Sequence, residues 1–84
     1  VGKRVLVVDD EARIRGIVRS YLESDGFSVA EAPDGDAGLA AARDWKPDLI
    51  VLDVMMPGTD GLEVLRRLRT ASEVPVILLT ARSE

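Results

Sequence analysis

The stretch DLIVLDVMMPGTDG, residues 48–61, places an aspartate at the end of an apolar run. Leu49, Ile50, Val51 and Leu52 read as a strand covered on both faces, because no polar side chain alternates with them. Asp53 then sets a charge beside four aliphatic neighbours, where burial is costly unless the group is paired or used. A plain strand terminus, a metal ligand and a reactive carboxylate all fit this position taken alone. Beyond it, Pro57-Gly58 predicts a turn, and Asp60 is a candidate N-cap for a helix. Leu62, Leu65 and Leu68 form the apolar side of that helix, with Arg66, Arg67 and Arg69 outward as a solvated face. Met55 and Met56 read as gap-filling apolar residues.

Three more runs of the same kind flank this one: Val5-Leu6-Val7-Val8, Phe27-Ser28-Val29-Ala30 and Val76-Ile77-Leu78-Leu79. The first and last are continuously apolar, which predicts strands covered on both faces of a parallel sheet. Between the runs the period changes. Ile14, Ile17, Val18, Tyr21 and Leu22 follow the i, i+3, i+4, i+7, i+8 spacing of one helical stripe, and Gly26 stands where a helix ends. A second helix is predicted after Pro33-Asp34-Gly35, carrying Ala37, Ala40 and Ala41 inward and ending before Pro47. Pro75 opens the fourth strand, where a missing N–H is tolerated.

The order is therefore βαβαβαβ, and short connections between alternating elements imply an open parallel α/β sheet with right-handed crossovers. The last run would be a poorly protected strand. That predicts a piece of a longer domain, and a tendency of residues 1–84 to associate through that strand.

Composition narrows the function. Hydrophobic residues make up 46% of the 84, enough for one small packed domain, and the net charge of −4 argues against a nucleic-acid surface in this segment. With no cysteine and no histidine there is no disulfide, no thiolate metal site and no imidazole base. The apolar runs are too short to span a bilayer, which together with the cysteine-free composition fits the cytoplasm.

Chemistry gathers at the carboxyl ends of the strands, where open α/β sheets build their sites. Asp9-Asp10 follows the first strand, Asp53 the third and Thr80 the fourth. If the first, third and fourth strands are neighbours, all four side chains meet on one rim. Each pair of like charges about 4 Å apart costs on the order of 4 kcal/mol at an effective dielectric near 20. Raising a pKa or binding a cation relieves this. An all-oxygen donor set favours a hard ion such as Mg²⁺, and a carboxylate beside it could serve as a nucleophile toward phosphorus. The plainer uses are an Asp-Asp pair capping the helix that starts near Glu11, and a threonine that merely suits a strand.

VLVVDDE, DLIVLDVMMPGTDGLEVLRRLR and PVILLTAR together resemble the response-regulator receiver domain of two-component signalling, in order and along the whole chain. The resemblance implies a flavodoxin-like, doubly wound parallel sheet in the order 2-1-3-4-5, with residues 1–84 a partial receiver domain lacking the fifth strand and last two helices. It implies a switch rather than an enzyme, with Asp53 accepting a phosphoryl group from a sensor histidine kinase. By the family pattern Mg²⁺ is bound by Asp10, Asp53 and the backbone carbonyl of Met55, and by Asp9 through water. Thr80 matches the switch hydroxyl and Ala81 the small residue beside the phosphoryl group. A DNA-binding output domain often follows such receivers. The family lysine at the end of a fifth strand has no counterpart, since the only lysines are Lys3 and Lys46.

Other classes fit less well. A haloacid-dehalogenase-type hydrolase wants a second aspartate two residues after the first, where Met55 stands. A P-loop protein wants GxxxxGK[ST], which is absent, and Asp9-Asp10-Glu11 would repel a flavin phosphate. A degenerate receiver acting as an interaction module without phosphorylation is the alternative from a different class. Retention of the three aspartates and Thr80 weighs against it.

Overall fold

The computed structural model describes residues 2–79. Strands β1 (Arg4–Val8), β2 (Ser28–Ala32), β3 (Leu49–Asp53) and β4 (Val76–Leu79) alternate with helices α1 (Ala12–Ser24), α2 (Gly35–Trp45) and α3 (Gly61–Arg69). The strands form one sheet in the order β2-β1-β3-β4, every neighbouring pair parallel. The chain steps one way from β1 to β2 and crosses back to place β3 on the other side of β1. This is the flavodoxin-like doubly wound arrangement, and its order reverses between β1 and β3.

Apart from Arg4 at the start of β1 and Asp53 at the end of β3, the two central strands are apolar because both sheet faces are covered there. On one face Leu6, Val8, Ile50 and Leu52 pack with Ala32, Met56, Val64 and Leu68, joined by Ala37, Ala41 and Leu39 of α2. On the other, Val5, Val7, Val29 and Val51 pack with Val18, Leu22, Phe27 and Leu79. Leu6 and Leu52 are fully buried, and each such side chain contributes about 2–3 kcal/mol relative to exposure. The polar ends of the helices are also specified locally. Asp34 accepts from the Ala37 amide at 2.8 Å and Asp60 from the Glu63 amide at 3.0 Å, so both helices after an aspartate begin with a side-chain cap. Helix α1 closes through the Gly26 and Phe27 amides, which donate to the carbonyls of Glu23 and Leu22.

Four expectations need correction. Strand β2 starts at Ser28, not Phe27, and runs on through Glu31 and Ala32, because all five residues from Ser28 pair with β1. The stripe of α1 is only partly inward: Ile17 and Tyr21 are exposed, while Val18 and Leu22 meet the sheet. In α3 the buried line is Gly61, Val64 and Leu68, one residue out of step with the expected stripe at its start, which rotates Leu62 into solvent. Strand β4 is not covered on both faces among the described residues, since Ile77 and Leu78 are exposed. It pairs with β3 on one side and is the sheet's outer strand.

Candidate functional site

Register decides which residues share the rim. Val8 stands level with Leu52 across the β1–β3 pair, so the next residue on each strand, Asp9 and Asp53, emerge side by side at the point of reversal. Each of Asp9, Asp10 and Asp53 offers a carboxylate oxygen, and these oxygens lie within 4.8 Å of one another. Asp9 is 5% exposed and Asp53 6%, the two buried charged residues found among those described. Asp10 is exposed.

Asp9 is held from several directions. Its amide donates to the Ala32 carbonyl at 3.1 Å, adding one rung to the β1–β2 ladder. Its Oδ1 accepts from the Glu11 amide at 2.9 Å, and its carbonyl accepts from Arg15 Nη1 at 2.7 Å. The Asp-Asp pair does not cap α1 in the usual way. Glu11 is the N-cap and makes no side-chain cap bond, and Asp9 takes up the N-cap's own amide, not one from within the first turn.

Asp53 has a thinner set of partners. Its Oδ1 accepts from the Met55 amide at 3.0 Å, in a tight turn two residues long. Burial pushes its pKa above the ordinary carboxylate value; the Met55 amide opposes this, and the nearby Asp9 and Asp10 add to the rise. No ion pair among the described residues involves Asp9, Asp10 or Asp53. A carboxylate offers about four acceptor positions, and the Met55 amide fills one of them at Asp53. Three acidic groups, all oxygen donors with no ion-paired cation among the described residues, therefore suit a hard divalent ion such as Mg²⁺.

The loop behind Asp53 is shaped by two glycines. Gly58 follows Pro57 at φ 77°, the left-handed value that the third residue of a type II turn requires. Gly61 opens α3 with its amide bonded to the Val54 carbonyl at 3.0 Å, and a Cβ there would run into the carbonyl of Asp53 and the Cα of Val54. Met56 fills the core, as a gap-filling methionine would, whereas the Met55 side chain is 55% exposed and only its backbone is engaged.

Of the site residues read from sequence, Asp9, Asp10 and Asp53 are brought together, and Met55 meets Asp53 through its amide. Thr80 and Ala81 lie outside the described residues. Sequence reading passed over Arg15 and Glu31, which stand beside the rim at 3.0 Å from each other. A signal was present: Glu31 interrupts a run of small apolar residues just as Asp53 ends one.

The comparisons with known proteins agree with this geometry. The family model described as response regulator receiver domain matches residues 5–84. The transcriptional regulatory protein ResD of Bacillus subtilis is 51% identical over 81 residues, covering 96% of this chain and 34% of ResD. The DNA-binding response regulator MtrA of Mycobacterium tuberculosis is 43% identical over 82 residues, covering 98% of this chain and 36% of MtrA. The chain thus spans about a third of the length of these relatives. Among solved structures, the chemotaxis protein CheY4 of Vibrio cholerae superposes with a TM-score of 0.93 at 34% identity, covering 100% of this chain and 72% of that one. The response regulator TrrA of Thermotoga maritima, solved in complex with Mg²⁺–BeF, gives a TM-score of 0.90 at 40% identity, covering 96% and 71%. With the switch-point aspartates and the sheet order on the same footing, this chain belongs to the response regulator receiver domain family of two-component systems.

Proposed function

We propose that this domain is the phosphoacceptor of its regulator and that Asp53 takes the phosphoryl group from a phosphohistidine on a sensor histidine kinase. The observation that carries the reading is the trio of carboxylates within 4.8 Å at the point where strand order reverses, with Asp53 buried and its Oδ1 held by the Met55 amide. Asp10, Asp53 and the backbone carbonyl of Met55 would hold Mg²⁺ directly, with Asp9 acting through water. The ion's charge would offset that of the phosphoryl oxygens.

The chain's own part is positional. The Met55 amide fixes Oδ1 of Asp53, leaving the second oxygen to approach phosphorus opposite the leaving nitrogen. An O–P bond forms and the P–N bond breaks. The imidazole nitrogen keeps that electron pair, and Asp53 becomes an acyl phosphate. The group carries roughly −1.5 to −2 charges if it resembles other phosphoresidues. Thr80 is the switch hydroxyl that answers this charge, and Ala81 the small residue that leaves room for it. The domain is a switch and not itself an enzyme.

The readout in the full-length protein is a change in a partner surface, coupled to a DNA-binding output domain, which the MtrA and ResD relatives support. No helix among the described residues is long and apolar enough to cross a membrane, and the cytoplasm is the compartment where such a regulator would meet both kinase and DNA. The exposed outer strand β4 gives the isolated segment a route to a strand-sharing dimer.

The direct test is to label the full-length protein with a small acyl phosphate and Mg²⁺ and to locate the modified peptide by mass. Label on the peptide holding Asp53, abolished in Asp53→Asn, is expected. Equal labelling of Asp53→Asn would overturn the assignment and favour an interaction module that does not use the site.

A further inference from the structure

Two residues outside the acidic trio connect it to the rest of the sheet. Arg15, on α1, uses two nitrogens of one planar guanidinium. Nη1 donates to the Asp9 carbonyl at 2.7 Å, and Nε donates to Glu31 Oε1 on β2 at 3.0 Å. The Arg15 side chain is 15% exposed. Glu31 in turn accepts from Arg19 at 3.0 Å through its other oxygen, and Arg19 also meets Glu23. Glu31 is thereby held from both sides.

We propose that Arg15 is a positioning residue for the acidic site, anchored by Glu31, which orients Asp10 by fixing the peptide plane between Asp9 and Asp10. This rests on reading the rim as a Mg²⁺ site. The carbonyl that Arg15 grips belongs to the same rigid plane as the Asp10 amide. Its orientation therefore governs the direction in which the Asp10 side chain leaves the backbone. Asp10 is exposed, and its carboxylate meets that of Asp53 but is held by no backbone amide or cationic side chain among the described residues. Its aim depends on its backbone, and its backbone depends on Arg15. A guanidinium suits the task because its two donors lie in one plane, so a bond to β2 and a bond to the rim constrain each other. The charge on Arg15 does not oppose the site strongly, since Glu31 sits against it.

The sign of the effect separates positioning from simple electrostatics. Removing a cation near three carboxylates should by itself strengthen Mg²⁺ binding. Weaker binding after loss of Arg15 can come only from lost orientation. Arg19 supplies the control: it shares Glu31 but makes no hydrogen bond or ion pair with Asp9 among the described residues.

The experiment is calorimetric titration of Mg²⁺ into the full-length protein without any phosphodonor, alongside thermal melts. Arg15→Met should weaken Mg²⁺ binding about tenfold, the low end for loss of a residue that orients a ligand, and Arg15→Lys should recover part of it. Arg19→Met should lower the melting temperature as Arg15→Met does yet leave Mg²⁺ affinity unchanged. If Arg15→Met does not fold, Arg15→Lys carries the same test, with weakened binding at retained charge as the expected result. Wild-type affinity in the Arg15 variants, or equal weakening in Arg19→Met, would overturn the proposal while leaving the rim as a Mg²⁺ site. Failure of the unsubstituted protein to bind Mg²⁺ would overturn the reading of the rim itself, and this proposal with it.

Discussion

The acidic rim and the outer face of α3 use the same functional group in opposite ways. On α3, Glu63 is flanked by Arg66 and Arg67, and their hydrogen bonds, Arg66 first, hold its pKa down at about 2. At the rim, Asp53 is buried beside two other acids, and its pKa is driven up by burial above all. One carboxylate has more positive charge around it than it needs, and it is open to water. The other has no such partner among the described residues and is almost closed off. Exposed pairs of the first kind add little to stability, because water and salt screen them and long side chains lose freedom in making them. A buried carboxylate of the second kind costs the apo fold stability. The helix face is electrostatically comfortable and chemically idle; the rim is uncomfortable and available to a ligand.

Three substitutions would break or sharpen this contrast. The largest effect is expected from Gly61→Ala, which forces a Cβ onto the Asp53 carbonyl and must displace either the rim or α3. A loss of about 2–3 kcal/mol is expected in denaturant unfolding, the scale of overpacking at a site backed by main chain.

Asp53→Asn should act in the opposite direction. With its pKa raised, native Asp53 holds its proton more tightly than the unfolded chain does, so stability falls as pH climbs from the ordinary carboxylate value through the raised one. Substitution by asparagine removes that penalty. The Mg²⁺-free variant should be more stable than the parent at neutral pH by on the order of 1 kcal/mol. The gain should vanish below about pH 3.9, where the unfolded-state carboxyl is also protonated. Thermal melts of the parent and of Asp53→Asn should therefore converge as the solution is acidified. A gap that stays the same at low pH would mean that burial of the charge is not its cause.

The smallest effect belongs to Glu63→Gln. Its folded-state pKa is depressed, so any stability it lends is present above the usual value near 4.5 and disappears as pH falls toward about 2. Because the group is exposed, neutral-pH melts of Glu63→Gln and the parent should coincide within error. A clear drop would mean that the surface pairs matter more than the rim contrast implies.

Much of this was legible in the chain, and the failures have physical causes. Continuous apolar runs revealed β1 and β3 because both of their faces are covered. Aspartates before Ala-rich and Leu-rich segments revealed the starts of α2 and α3 because capping is a local interaction. The convergence of Asp9, Asp10 and Asp53 followed once the strands were ordered. What escaped was decided between elements. The predicted second strand stopped at Ala30, short of Glu31, whose arginine partners come from α1, sixteen and twelve residues back. Ile17, Tyr21 and Leu62 fit a helical period as well as their inward-facing neighbours do, and only the docking angle of each helix separates the two sets.

The contact between Gly61 and the Asp53 carbonyl also has a mechanical side. The main chain at Asp53 is wedged against the base of α3 with no side chain between them. Any shift of that carbonyl larger than the slack of a van der Waals contact is passed to the helix as motion of a rigid arm. Its nine residues make an arm about 13 Å long, so a tilt of about 5° at the base sweeps the far end through roughly 1 Å. Leu62, near the fulcrum, would hardly move, whereas Arg67 and Arg69, near the tip, would travel furthest.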